Sequence, residues 1–143
     1  MSSRAEPADP RPPLVRTVIV AQLAVIGAFA VVAAMYVGRM LAAGVGPAEM
    51  VTGQYDPKDM VPFGLTGWNP FAWLYLVVAL LHLAGAVLAP ALAVFAVVTV
   101  ARERRALSGR ARALLLGGAV GGLLVLALRF LPAVADMHRW WLD

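Results

Sequence analysis

The chain has 143 residues, 62% hydrophobic and 14% charged, with a mean hydropathy of +0.80. That balance excludes an ordinary soluble domain and leaves no room for one beside three membrane spans of about 20 residues each. The absence of cysteine excludes disulfides, thiolate metal sites and a cysteine nucleophile, while the +4 net charge comes from basic residues flanking apolar runs, so nucleic acid is not an expected partner.

Residues 1–16 form a tail in which Pro7, Pro10, Pro12 and Pro13 are expected to stay extended, outside any helix. The first apolar run, 17–38, lies between Arg16 and Arg39 and contains one strongly polar residue, Gln22. At a rise of about 1.5 Å per residue it can cross a hydrocarbon core roughly 30 Å thick. It exceeds the apolar core of a cleaved signal peptide, so an uncleaved signal anchor is expected. Ala30, Ala34 and Gly38, four residues apart, give it a small-residue face suited to helix packing.

Residues 39–70 are dense in glycine and proline and predict an irregular loop. Asp56 and Asp59 suggest calcium, but no EF-hand spacing accompanies them and no metal site is expected. The stretch 60–68 is apolar for a loop and suits a membrane interface or the mouth of a helix bundle.

Asn69-Pro70 is a helix-start signal: a side-chain acceptor for unpaired amides, then a residue with no amide to leave unpaired. The second span is expected over 71–101, with His82 and Pro90 inside it. An imidazole at that depth is costly without a partner, so His82, with Gln22 and Arg129 as possible partners, forms a candidate intramembrane polar site. The plainer alternative is a neutral histidine bonded across a helix interface.

Residues 102–112 form a basic connection with five arginines, and the third span is expected over 113–135, with Arg129 reaching the interface near its end. Gly117/Gly121 and Gly118/Gly122 are two overlapping GxxxG spacings that permit close backbone approach, to a neighbouring span or to another chain. Residues 136–143 are left as a short tail.

Eight basic residues fall on the side of the tail and the 102–112 connection, and four on the other. The positive-inside rule then places the N-terminus in the cytoplasm and the C-terminus outside. Trp68, Trp73, Tyr75, Trp140 and Trp141 collect on the outer side, either as an interfacial belt or as an aromatic contact surface. The expected architecture is an all-α integral membrane protein with three transmembrane helices, N-terminus in, C-terminus out, and one extracytoplasmic irregular loop.

No cofactor is expected. Paired-histidine haem ligation would need His138, which this topology puts at the outer surface, and the methionines are too scattered for a copper site. No catalytic constellation is present, so the chain is not expected to be an enzyme, and action on a lipid or isoprenoid rests on no motif. Arginine- and alanine-rich usage suggests a bacterial protein of the inner cell membrane. The leading expectation is an accessory or scaffolding subunit that meets a membrane-protein partner, or itself as a homo-oligomer, through its glycine-rich third span and outer aromatic face. The alternative is a small oligomeric transporter or channel using His82 and Gln22.

Overall fold

A computed structural model describes residues 13–142. The tail at residues 1–12 and Asp143 lie outside the described residues. The chain order is α1 (Pro13–Ala43), α2 (Pro47–Met50), a one-turn 3-10 helix at Pro57–Met60, α3 (Pro70–Arg102), α4 (Gly109–Leu128) and α5 (Pro132–Leu142). Three of these, α1, α3 and α4, are long and apolar enough to cross a membrane. Within their most apolar stretches no more than 39% of residues are buried, so the remaining apolar side chains face outward, as a lipid solvent requires.

Helix α1 begins at Pro13, earlier than expected. A proline at the first helical position loses no hydrogen bond, so Pro13 opens the helix instead of excluding it. Val15, Val18, Gln22, Val25, Phe29, Val32 and Tyr36 are buried along it, alternating steps of three and four. That is the seam of a left-handed coiled-coil-like packing. Ala30, Ala34 and Gly38 lie outside this seam and are exposed, so they do not form the face that receives the third span. The larger residues fill the interface because they sit at the repeat that keeps one face toward a twisted neighbour.

Asn69 caps α3 through a side-chain oxygen that accepts from the Phe71 amide at 3.0 Å, and Pro70 follows at the first position. The helix passes through Pro90 as one 33-residue element. The Ser108 hydroxyl caps α4, accepting from the Ala111 amide at 3.2 Å.

Helices α3 and α4 run antiparallel, with Gly122 against Ala89 and Arg129 against His82. Helix α4 runs parallel to α1, with Gly118 against Gln22 and Gly121 against Ile26. The glycines of the expected packing face are therefore occupied inside the bundle, except Gly117, which has no neighbour in reach of an added side chain. Two buried clusters result. One joins Val15, Val18 and Ile19 to Ala93, Ala96, Leu107, Ala111, Leu115 and Ala119. The other joins Phe29, Val32 and Tyr36 to Met50, Val125, Met137, Trp140 and Trp141.

The third apolar segment departs from the expected 113–135. Helix α4 stops at Leu128, the chain turns over residues 129–131, and Pro132 starts α5. Proline has no amide to continue a helix and disfavours helical geometry at the residue before it, which separates the two elements. The expected 136–143 tail is helical through Leu142.

The glycine packing predicts contrasting substitutions. A Cβ on Gly118 would lie 2.8 Å from Gln22 Cδ and 3.1 Å from its Cβ, whereas one on Gly117 meets nothing within 4 Å. Gly118→Val should lower thermal stability in detergent by about 1–3 kcal/mol, as overpacking does, and Gly117→Val by less than about 0.5 kcal/mol. Thermal denaturation of the two variants beside wild type checks the difference.

Candidate functional site

Because α4 ends opposite His82, the first three turns of α3 and the last turns of α1 extend past it without a third spanning neighbour. Helix α5 covers that gap. Met137, Trp140 and Trp141, spaced three and four residues apart, are buried on one of its faces. Trp140 packs on Tyr36 at a ring separation of 5.3 Å, and its indole N–H donates to the Tyr55 carbonyl. Trp141 packs on Tyr75 at 4.8 Å and presents an edge to His82 at 6.1 Å. Aromatic pairs of this kind contribute about 0.5–1.5 kcal/mol each beyond their burial.

The same helix brings His138 to His82, with Nε2 of His82 and Nδ1 of His138 2.9 Å apart. His82 is fully buried. Its ring stacks on Phe29 at 6.0 Å, and the Arg129 guanidinium donates to its backbone carbonyl. Arg129 also lies over the Phe29 ring, 5.9 Å from its centroid. Instead of reaching outward to the interface, Arg129 turns into the bundle, and no described residue forms an ion pair with it.

Sequence reasoning joined His82 to Gln22 and Arg129 and placed His138 at the outer surface. The structure keeps the Arg129 partnership, replaces Gln22 with His138, and half-buries His138 against His82 at the end of the bundle where α4 stops. Gln22 lies two helical turns from Phe29, where its amide donates to the Leu115 carbonyl at 3.3 Å. His138 was missed because the third span was carried through to residue 135. The available signal was Pro132 as a helix start, followed by Met137, Trp140 and Trp141 on one face.

A hydrogen bond between two imidazoles uses one proton, so at least one ring is neutral. At 2.9 Å the two ring nitrogens are at hydrogen-bond distance and can share a proton, with a guanidinium alongside. Among the described residues no group of three or more His, Cys, Asp or Glu side chains is placed to hold a metal ion. Asp56 accepts from the Lys58 amide at 2.8 Å and pairs with its ammonium at 3.4 Å.

The expected outer aromatic surface divides in two. Trp140 and Trp141 are buried under α5, and Tyr75 is half-buried against them, so these three do not form an exposed face. Amphipathic folding of α5 turned the C-terminal tryptophans inward. Trp68 and Trp73 remain exposed, Trp68 at 98%. They belong to a turn that Asn69 builds. The Asn69 amide donates to the Pro62 and Gly64 carbonyls at 2.5 and 2.6 Å, and the Trp73 indole donates to the Gly67 carbonyl at 2.9 Å. Between those two clamped carbonyls Phe63 adopts a left-handed backbone, φ 65°, with its ring 86% exposed. Such a conformation costs a bulky residue about 1–3 kcal/mol and persists where its surroundings over-determine it.

Comparison with family models, curated proteins and solved structures finds no match for this chain.

Removing the His138 imidazole leaves a fully buried His82 nitrogen without its partner, a loss of about 1–3 kcal/mol. In a chain with no native cysteine, Met137→Cys reports the docking of α5. The thiol should react slowly in the parent and markedly faster when His138→Ala is added. Burial, then the neighbouring Arg129 charge, hold the His138 pKa below its ordinary value. The docked helix thus favours neutral His138: its contribution is full above about pH 6.5 and is lost as pH falls toward the lowered value. Hydrogen exchange of the α5 amides should show protection falling in that direction.

Proposed function

We propose that this chain is a non-catalytic accessory or scaffolding subunit of a larger membrane complex, and that the turn displaying Phe63, Trp68 and Trp73 is where it meets its partner. The observation that carries this reading is the construction of that turn. A buried asparagine donates two hydrogen bonds to it while capping α3 with a third, and a phenylalanine is held in a strained backbone while its ring points away from the fold. Interfacial anchoring alone asks only for aromatic residues at the right depth. A rigid display of aromatic side chains also suits recognition, because rings that are already ordered lose little freedom on binding.

The glycine-rich third span is not retained as a docking face, since Gly118, Gly121 and Gly122 meet α1 and α3 of the same chain. The transporter alternative has less support. Gln22 and His82 bond to different partners at different depths, and His82 is closed over by Phe29, His138 and Trp141.

The remaining assignments belong to the same proposal: a bacterial inner membrane, the N-terminus and the 102–112 connection in the cytoplasm, the aromatic turn and C-terminus outside. Single cysteines at Gln54 and Ser108 test the orientation. An impermeant thiol reagent applied to intact cells should label Gln54→Cys and leave Ser108→Cys unlabelled.

A photo-crosslinking amino acid at Phe63 or Trp68 should join the chain to one heterologous membrane protein at fixed stoichiometry, whereas one at lipid-facing Val120 should not. Asn69→Ala, which releases the turn, should reduce that crosslink at least severalfold while α3 remains folded by circular dichroism. Crosslinks only to lipid, or only to a second copy of this chain, would count against the reading.

A further inference from the structure

Helices α3 and α4 leave an open groove of about 360 Å³ on their lipid-facing side, lined by Ala93, Val97, Leu116, Val120 and Leu123 among others. Val97 and Leu116 also line a second recess, about 520 Å³, that continues toward the connection and is bordered by Arg104 and Arg112. The two form one channel, apolar along its length and basic at one end. From Arg112 to Leu123 the helix rises about 16 Å, close to half of a hydrocarbon core roughly 30 Å thick. The channel is therefore as deep as one leaflet.

The basic end is uncompensated. Residues 102–112 contain five arginines and one acid, Glu103. Neither Arg104 nor Arg112 forms an ion pair with a described residue, and Arg112 Nε is buried without a hydrogen-bond partner. A buried donor of that kind is costly unless an acceptor reaches it.

We propose that this channel binds one anionic glycerophospholipid, its phosphate held between Arg104 and Arg112 and an acyl chain laid along Val97, Leu116 and Val120. The charge pattern selects an anionic headgroup over a zwitterionic one, because phosphate oxygens accept from guanidinium groups and no carboxylate competes at the mouth. The leaflet-deep apolar floor selects a lipid over a free phosphate, which could occupy only the mouth. General attraction of a basic loop to a membrane surface would use all five arginines alike, whereas a built site uses the two that border the channel.

The test uses the full chain in a neutral detergent, titrated with dioleoylphosphatidylglycerol or dioleoylphosphatidylcholine and read by native mass spectrometry. One phosphatidylglycerol per chain should be retained. At about fivefold per arginine near an anionic group, the pair should give roughly a thirtyfold preference over phosphatidylcholine. Arg104→Gln with Arg112→Gln should abolish that preference. Arg105→Gln with Arg110→Gln removes equal charge away from the channel and should leave it within about twofold. Val97→Trp, at an exposed position, should block the floor and weaken retention about tenfold with every arginine in place. The proposal is overturned by equal losses from the two glutamine pairs, by undiminished binding to Val97→Trp, or by glycerol phosphate competing as well as the lipid.

Discussion

The half of this fold beyond the end of α4 depends on a length mismatch. Helix α4 has 20 residues where α3 has 33, so about three turns of α3 and a comparable stretch of α1 lie beyond the reach of the third spanning helix. Two long helices side by side bury too little to fix their own orientation, and here the end of the covered region is marked by a histidine. Some further element has to close over His82. Helix α5 does so with Trp140 on Tyr36, Trp141 on Tyr75 and His138 on His82. The connection between α1 and α3 takes its position from the same contacts, through the indole bond from Trp140 to the Tyr55 carbonyl and the burial of Met50.

That arrangement explains why polar residues are tolerated along apolar helices. For Gln22 a glycine, and for Arg129 a helix end, leaves room for a hydrogen bond to a neighbouring helix. Gln22 occupies the space left by the missing side chain of Gly118 and reaches the Leu115 carbonyl. Arg129 stands just past the last residue of α4, where turning inward reaches both the His82 carbonyl and the Phe29 ring. The guanidinium fixes the end of α4 against α3, and the histidine pair fixes α5 against the same point. Loss of either would affect the other, because both converge on His82.

The three spans were legible in the sequence because each is a continuous apolar run bounded by arginine, proline or a capping residue. Asn69-Pro70 set the start of α3 to the residue. What could not be read locally was pairing. His82 and His138 are 56 residues apart, and neither carries a signature of the other. The buried face of α1 was equally hard to read: Ala30, Ala34 and Gly38 repeat every four residues and are exposed in the single chain, while the buried face follows the alternating three-and-four step of Val25, Phe29, Val32 and Tyr36. Small residues permit close approach, but the twist between neighbouring helices decides which face is turned inward. The C-terminal tryptophans were assigned to an outer surface by depth alone, and depth does not distinguish a ring facing lipid from one packed beneath a returning helix.

The two ends of the molecule consequently answer different physical demands. At the arginine-rich end α3 and α4 border an open channel, and neither Arg104 nor Arg112 forms an ion pair with a described residue. At the aromatic end His138, Trp140 and Trp141 turn toward the bundle, while Phe63, Trp68 and Trp73 project from the turn that Asn69 holds in place. A surface whose order is maintained at a conformational cost is better suited to a defined partner than to a fluid headgroup layer, which would accept the same rings in many orientations. The lipid proposed for the basic end, by contrast, would be supplied by the bilayer at high local concentration, so modest selectivity from two guanidinium groups would be enough there. The proposed partner recognition by the turn and the proposed lipid selection by the channel would therefore use opposite ends of the chain and would not compete.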